Sequence, residues 1–77
     1  MIHIEVLGPG CSKCQVLYQR ADEAAKALGI EYEITKVTDI ERIIGYGIMS
    51  TPALVVNGTV KLVGRVPSAE QLRGFLS

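Results

Sequence analysis

The chain has 77 residues, 48% of them hydrophobic, with 8 Lys and Arg balanced by 8 Asp and Glu. That is one small domain with a thin core, of the size that often needs a staple such as a disulfide or a metal. Zero net charge and the lack of any like-charged run exclude a nucleic-acid footprint or a polybasic membrane surface, and no apolar stretch is long enough to span a bilayer.

The elements follow in chain order. Residues 2–7 put the β-branched Ile2, Ile4 and Val6 on one face and predict a first strand. This N-terminus reads as a strand rather than a leader, so the expected location is cytoplasmic. Gly8-Pro9-Gly10 breaks the chain. From Ser12 to Leu28 apolar or small residues recur at Leu17, Ala21, Ala24, Ala25 and Leu28, a helical spacing, and Gly29 stops the helix. Glu31 to Val37 alternates again as a second strand. Thr38-Asp39-Ile40-Glu41 is a capping-box pattern and predicts a short helix with Ile40, Ile43 and Ile44 on one face, ended by Gly45 and Gly47. Residues 53–57 form a third strand. Asn57-Gly58 is a strong hairpin signal and makes Thr59 to Val63 a fourth, antiparallel strand. Ser68-Ala69-Glu70-Gln71, after Pro67, is a second capping box. It opens a last helix to about Leu76, with Ala69, Leu72, Phe75 and Leu76 inward. The order is β-α-β-α-β-β-α. A right-handed βαβ crossover makes the first two strands parallel, and the hairpin completes a mixed four-stranded sheet flanked by helices on both faces.

Both cysteines fall in Gly8-Pro9-Gly10-Cys11-Ser12-Lys13-Cys14, between the first strand and the first helix. Three uses of Cys11-x-x-Cys14 stand at this point: staple, metal clip or redox switch. The loop a Cys11–Cys14 disulfide closes is tiny and removes little unfolded-chain entropy. A structural zinc site needs about four ligands, and His3 is the one further candidate, itself more readily an edge residue. The redox use has a physical basis. A helix N-terminus offers unpaired N–H groups and partial positive charge, and Lys13 adds a cation. Thiols in such settings fall to about 3.5–7.5 from about 8.5. Cys11 is then the attacking thiolate, and Cys14, one turn on, the resolving thiol.

Three stretches together carry a resemblance: the Gly-x-Gly-Cys-x-x-Cys of residues 8–14, Met49-Ser50-Thr51-Pro52-Ala53-Leu54-Val55-Val56-Asn57-Gly58, and Gly64-Arg65-Val66-Pro67-Ser68. Over essentially its whole length the chain resembles the thioredoxin/glutaredoxin superfamily, and most closely its small archaeal and bacterial redox-active disulfide proteins. The resemblance implies the minimal thioredoxin fold and a thiol–disulfide oxidoreductase that reduces protein disulfides through Cys11 and Cys14, with no cofactor beyond that disulfide. It implies a cis Thr51-Pro52 bond against the cysteines, leaving Thr51 backbone groups to pair with an extended substrate. It also implies a monomer recharged by a flavoenzyme of the thioredoxin-reductase type. Glu5 stands six positions before Cys11, where thioredoxins carry a buried acid that handles the resolving thiol's proton. From its strand phase alone it sits equally well on a solvated patch. Gly64-Arg65 replaces the Gly-Gly of the glutaredoxin glutathione site, which argues against glutathione, while Arg65 can pair with a substrate carboxylate. Tyr46, Ile48 and Met49 read as an apolar docking rim, and Ile48 and Met49 read equally as core filling.

Two other classes of function compete. Small copper-chaperone domains also place Cys-x-x-Cys between a first strand and a first helix, and a thiolate pair suits Cu(I). They usually carry Met before the motif, end in a strand and have no use for Thr51-Pro52. A thioredoxin-like interaction module without turnover would have no need of two intact cysteines.

Overall fold

The computed structural model describes residues 1–10 and 12–76. The readings placed on Cys11 lie outside the described residues. The observed order is β1 (Ile2–Leu7), α1 (Ser12–Leu28), β2 (Tyr32–Val37), α2 (Ile40–Gly45), β3 (Ala53–Val56), β4 (Thr59–Val63) and α3 (Ala69–Leu76). The four strands form one mixed sheet in the order β2-β1-β3-β4. This is the minimal thioredoxin fold.

β1 pairs parallel to β2, from Ile2 opposite Tyr32 to Leu7 opposite Val37, and antiparallel to β3, from Ile4 opposite Val56 to Leu7 opposite Ala53. β3 lies between two neighbours and under helices on both faces. Its four residues, Ala53-Leu54-Val55-Val56, are accordingly all buried and form a continuous apolar run. Asn57 and Gly58, with φ of 51° and 81°, form the left-handed pair that a two-residue hairpin turn requires. Asn57 also accepts a hydrogen bond from the His3 N–H on its side chain at 2.9 Å, and its own N–H donates to the His3 carbonyl at 2.8 Å. The turn is thereby fastened to the start of β1. Register slips by one residue between Leu54 and Val55, a bulge that leaves Lys61 without a cross-strand partner.

One sheet face carries Ile4, Val6, Leu54, Val56 and Leu62. α1 covers it with Leu17, Ala21, Ala24 and Ala25, and α3 with Leu72 and Leu76. Three alanines on α1 keep that helix close to the strands and to α3. The other face has a smaller core of Leu7, Val37, Ala53 and Val55 under Ile43 and Ile48. α2 has only six residues, so it covers one end of this face. The far end stays polar: His3 and Glu33, opposite one another in β1 and β2, form an exposed pair at 3.6 Å.

α2 departs from expectation. Its N-cap is Asp39, whose side chain accepts from the Glu41 N–H at 3.0 Å, so the helix starts one residue later than a Thr38 capping box places it. Ile43 is buried, but Ile40 and Ile44 are each 63% exposed. A helix of so few turns meets the sheet only along its middle, and the flanking isoleucines overhang. β2 also starts at Tyr32 rather than Glu31 and β3 ends at Val56. In α3, Leu72 and Leu76 are buried while Ala69 and Phe75 are half-buried. The second capping box forms as expected: the Gln71 N–H donates to Ser68 Oγ at 3.2 Å and the Ser68 N–H to Gln71 Oε1 at 3.2 Å.

α1 is tied to β2 by a hydrogen bond from the Tyr32 hydroxyl to Asp22, with Lys26 at 3.2 Å from the same carboxylate. The bond from Tyr32 holds the Asp22 carboxyl below its usual value, against the opposing effect of burial and with help from Lys26. The same bond, with burial, pushes the Tyr32 hydroxyl up to about 12. The signs follow by linkage. The Asp22 contribution to stability is present above the usual carboxylate range and is lost as pH falls through its lowered pKa. The Tyr32 contribution is complete below the ordinary tyrosine value of 10.0 and is lost as pH rises through about 12. A near-ultraviolet titration should show one tyrosine ionising near 12, and Asp22→Asn should return it toward the ordinary value. An unchanged titration curve in Asp22→Asn would contradict the assignment.

Candidate active site

The site forms where three loops meet at one end of the sheet. The first follows β1. The Gly8 N–H donates to the Val37 carbonyl at 3.0 Å, and Gly8 is buried. A Cβ on Gly8 would overlap the Cys14 sulfur and stand 3.2 Å from Cys14 Cβ and 3.8 Å from Thr51 Cβ. One backbone position therefore touches both the second cysteine and the Thr51-Pro52 segment. Cys14 lies in the first turn of α1, 6% exposed.

The second loop leads from α2 into β3. Its Thr51–Pro52 peptide bond is cis, Pro52 is buried and Thr51 is exposed. The third loop follows β4. The Gly64 N–H donates to the Pro52 carbonyl at 2.7 Å, which joins the second loop to the third. Gly64 has a φ of +73°, a conformation that favours glycine. The third loop is held against α1 by Arg20, whose Nη1 donates to the Val66 and Pro67 carbonyls at 3.1 and 3.2 Å.

Other residues singled out from sequence sort as follows. Lys13 and Arg65 are exposed. Met49 is 99% exposed and Ile48 is buried at 6%. The two readings of this stretch thus divide between neighbours: Ile48 fills the core with Ile43 of α2, and Met49 is open to solvent two residues before Thr51. Glu5 lies on the α2 face, the face away from α1. Its carboxylate is half-buried and accepts the Tyr46 hydroxyl at 3.0 and 3.2 Å, with Arg42 at 3.5 Å. The carboxylate first, and burial second, push the Tyr46 hydroxyl pKa up. Among the described residues no three His, Cys, Asp or Glu side chains converge as a metal cluster, and no helix is long and apolar enough to cross a membrane.

A family model described as a thioredoxin domain matches residues 2–77. The chain belongs to the thioredoxin superfamily. It is 40% identical to a thioredoxin of Methanothermobacter thermautotrophicus over 77 residues, the whole of both chains. It is also 34% identical to a thioredoxin of Methanocaldococcus jannaschii over 73 residues, 95% of this chain and 84% of that one. A probable thioredoxin of Methanothermobacter thermautotrophicus is 38% identical over 76 residues, 94% of this chain and 88% of its own. This thioredoxin-superfamily membership makes the chain one of a family of thiol–disulfide oxidoreductases.

Three features of the site escaped sequence reasoning. Gly8 read as a chain breaker and as part of the Gly-x-Gly-Cys-x-x-Cys stretch, without its packing role: its missing Cβ is what admits the Cys14 sulfur. Arg20 drew no reading from sequence, although it holds the β4–α3 loop. Tyr46 lies 41 positions from Glu5, a separation at which local patterns are silent. Only Gly8 left a signal, a third breaking residue where Pro9-Gly10 already suffices for the turn. Gly8→Ala should displace the Cys14 sulfur and cost about 1–3 kcal/mol of stability, the usual effect of overpacking. Urea denaturation measures it, and a variant as stable as the parent would contradict the close approach.

Proposed function

We propose that this chain is a thiol–disulfide oxidoreductase that reduces protein disulfides through a Cys11–Cys14 dithiol/disulfide couple. The observation that carries this reading is the seat of Cys14: in the first turn of α1, buried, against Gly8 and within reach of Thr51-Pro52. α1 begins at Ser12, so Cys11 directly precedes a helix N-terminus, whose unpaired N–H groups and dipole favour a thiolate. The exposed Lys13 adds a cation nearby. Both features raise the thiolate fraction at Cys11.

In the first step the Cys11 thiolate attacks one sulfur of the substrate disulfide. The S–S bond breaks, the other substrate sulfur leaves as a thiolate, and a mixed disulfide with Cys11 forms. In the second step Cys14, as its thiolate, attacks the Cys11 sulfur and releases the second substrate thiol. Two electrons have then passed from the protein to the substrate, whose two thiolates take up protons from water, and Cys11 and Cys14 are joined. Burial keeps Cys14 from competing for the first attack.

Thr51, exposed beside buried Pro52, offers its backbone to an extended substrate segment. Met49, Gly64 and Arg65 line the approach. Glu5 supports the site through α2: it anchors Tyr46, three residues before Met49. The couple needs no bound cofactor. A flavoenzyme of the thioredoxin-reductase type is the reductant we assign, with the protein acting as a monomer in the cytoplasm. A Cu(I)-binding module is the alternative from sequence, and α3 (Ala69–Leu76) is a helix where those domains carry a strand.

The test is a trap. Reduced Cys14→Ser, mixed with a disulfide-bearing peptide, should accumulate a stable adduct at Cys11 by mass, while the parent protein releases reduced peptide and holds none. If no Cys11-dependent adduct forms and the parent leaves the peptide oxidised, the reading fails. Tight Cu(I) binding in that event would favour the metal module.

A further inference from the structure

A groove of about 280 Å³ runs along the N-terminal half of α1 toward the β4–α3 loop, lined by Ser12, Lys13, Val16, Arg20, Gly64 and Val66. It begins at the residue after Cys11, so a segment that carries an attacked disulfide has room to lie along it. Its floor is apolar, from Val16 and Val66. Its charge is one-sided: two cations line it and no carboxylate does. That imbalance is local, because the whole chain is neutral. Lys26 and Arg42, by contrast, each sit beside a carboxylate, that of Asp22 and that of Glu5. Arg20 is fixed in the groove wall by its bonds to the Val66 and Pro67 carbonyls. Its charge is held in place rather than carried on a mobile side chain.

We infer that this groove selects its substrates: it takes an extended polypeptide segment with a Glu or Asp side chain beside the attacked cysteine. This rests on the redox reading above and narrows it to a substrate class. The carboxylate lies between Lys13 and Arg20, and the adjoining apolar stem lies on Val16 and Val66. Lys13 thereby has a second role beside its effect on the thiolate.

The test uses the full reduced chain and three disulfide peptides alike except for Glu, Gln or Lys flanking the cysteine. The uncharged 2-hydroxyethyl disulfide reports exchange itself. Oxidation is read in a single turnover by alkylation and mass. The Glu peptide should react about fivefold faster than the Lys peptide, as for a modest, partly solvated ion pair, and the gap should narrow at high salt. Lys13→Glu should reverse the order. The ratio between peptides cancels any change that substitution makes at the Cys11 thiolate. Val16→Glu, which places a carboxylate on the floor and leaves Lys13 intact, should reverse it too. Equal rates for all three peptides, with 2-hydroxyethyl disulfide still reduced, would overturn the groove inference and leave the redox reading standing. No oxidation by any of the four disulfides would overturn both.

Discussion

Cys11→Ser should lose disulfide reduction altogether, a fall on the order of a thousandfold or more to the uncatalysed rate. The attacking group in exchange is a thiolate, and a serine hydroxyl is not ionised near neutral pH in its place. Cys14→Ser should behave differently. It keeps the first attack and loses release, so a single addition occurs and turnover stops. The contrast is the useful part. A metal clip predicts equal loss from either substitution, because both sulfurs are ligands of one ion. A staple predicts a stability change and no catalytic phenotype to divide. Rates with a defined disulfide peptide, followed alongside adduct mass, separate the three uses that the Cys-x-x-Cys spacing left open.

Leu54→Ala is expected to be the most damaging change to the fold. Leu54 is fully buried, lies in the central strand β3 between Val6 of β1 and Leu62 of β4, and packs beneath α1 and α3. Truncating a leucine at such a place costs about 2–5 kcal/mol, from lost transfer energy and the cavity left behind. A domain of this length is expected to have only about 4–12 kcal/mol in total. The variant should therefore shift the urea midpoint sharply without changing the slope. Ile44→Ala is the internal comparison. Ile44 is 63% exposed on α2 and should change stability by less than about 0.5 kcal/mol. A large effect at Ile44, or a small one at Leu54, would contradict the placement of the two cores.

Most of the fold was legible because its signals are local. The strand phases of Ile2, Ile4 and Val6, the Asn57-Gly58 turn and the Ser68–Gln71 box each act within a few residues, and each formed as expected. α2 was less legible. Its isoleucine spacing is helical, but burial of Ile40 and Ile44 depends on how much sheet a six-residue helix can reach, and no local pattern encodes that. Glu5 shows the same limit. Its strand phase left open a buried base or a solvated patch, and the partners that settle its surroundings, Tyr46 and Arg42, come from a distant turn of chain. The site was legible in its residue types, Cys14 and Thr51-Pro52 above all. It was not legible in the contact that assembles it, the passage of the Cys14 sulfur over a glycine chosen for having no side chain.

The account's central claim is that Cys11 and Cys14 form one reversible two-electron couple. Equilibrating the protein across a graded series of thiol/disulfide buffers, then alkylating and weighing it, tests this most directly. The account predicts two species only, a dithiol and an intramolecular Cys11–Cys14 disulfide, exchanging reversibly with a two-electron slope. Retention of two alkylatable thiols in oxidising buffer, or oxidation only to disulfides between chains, would contradict it.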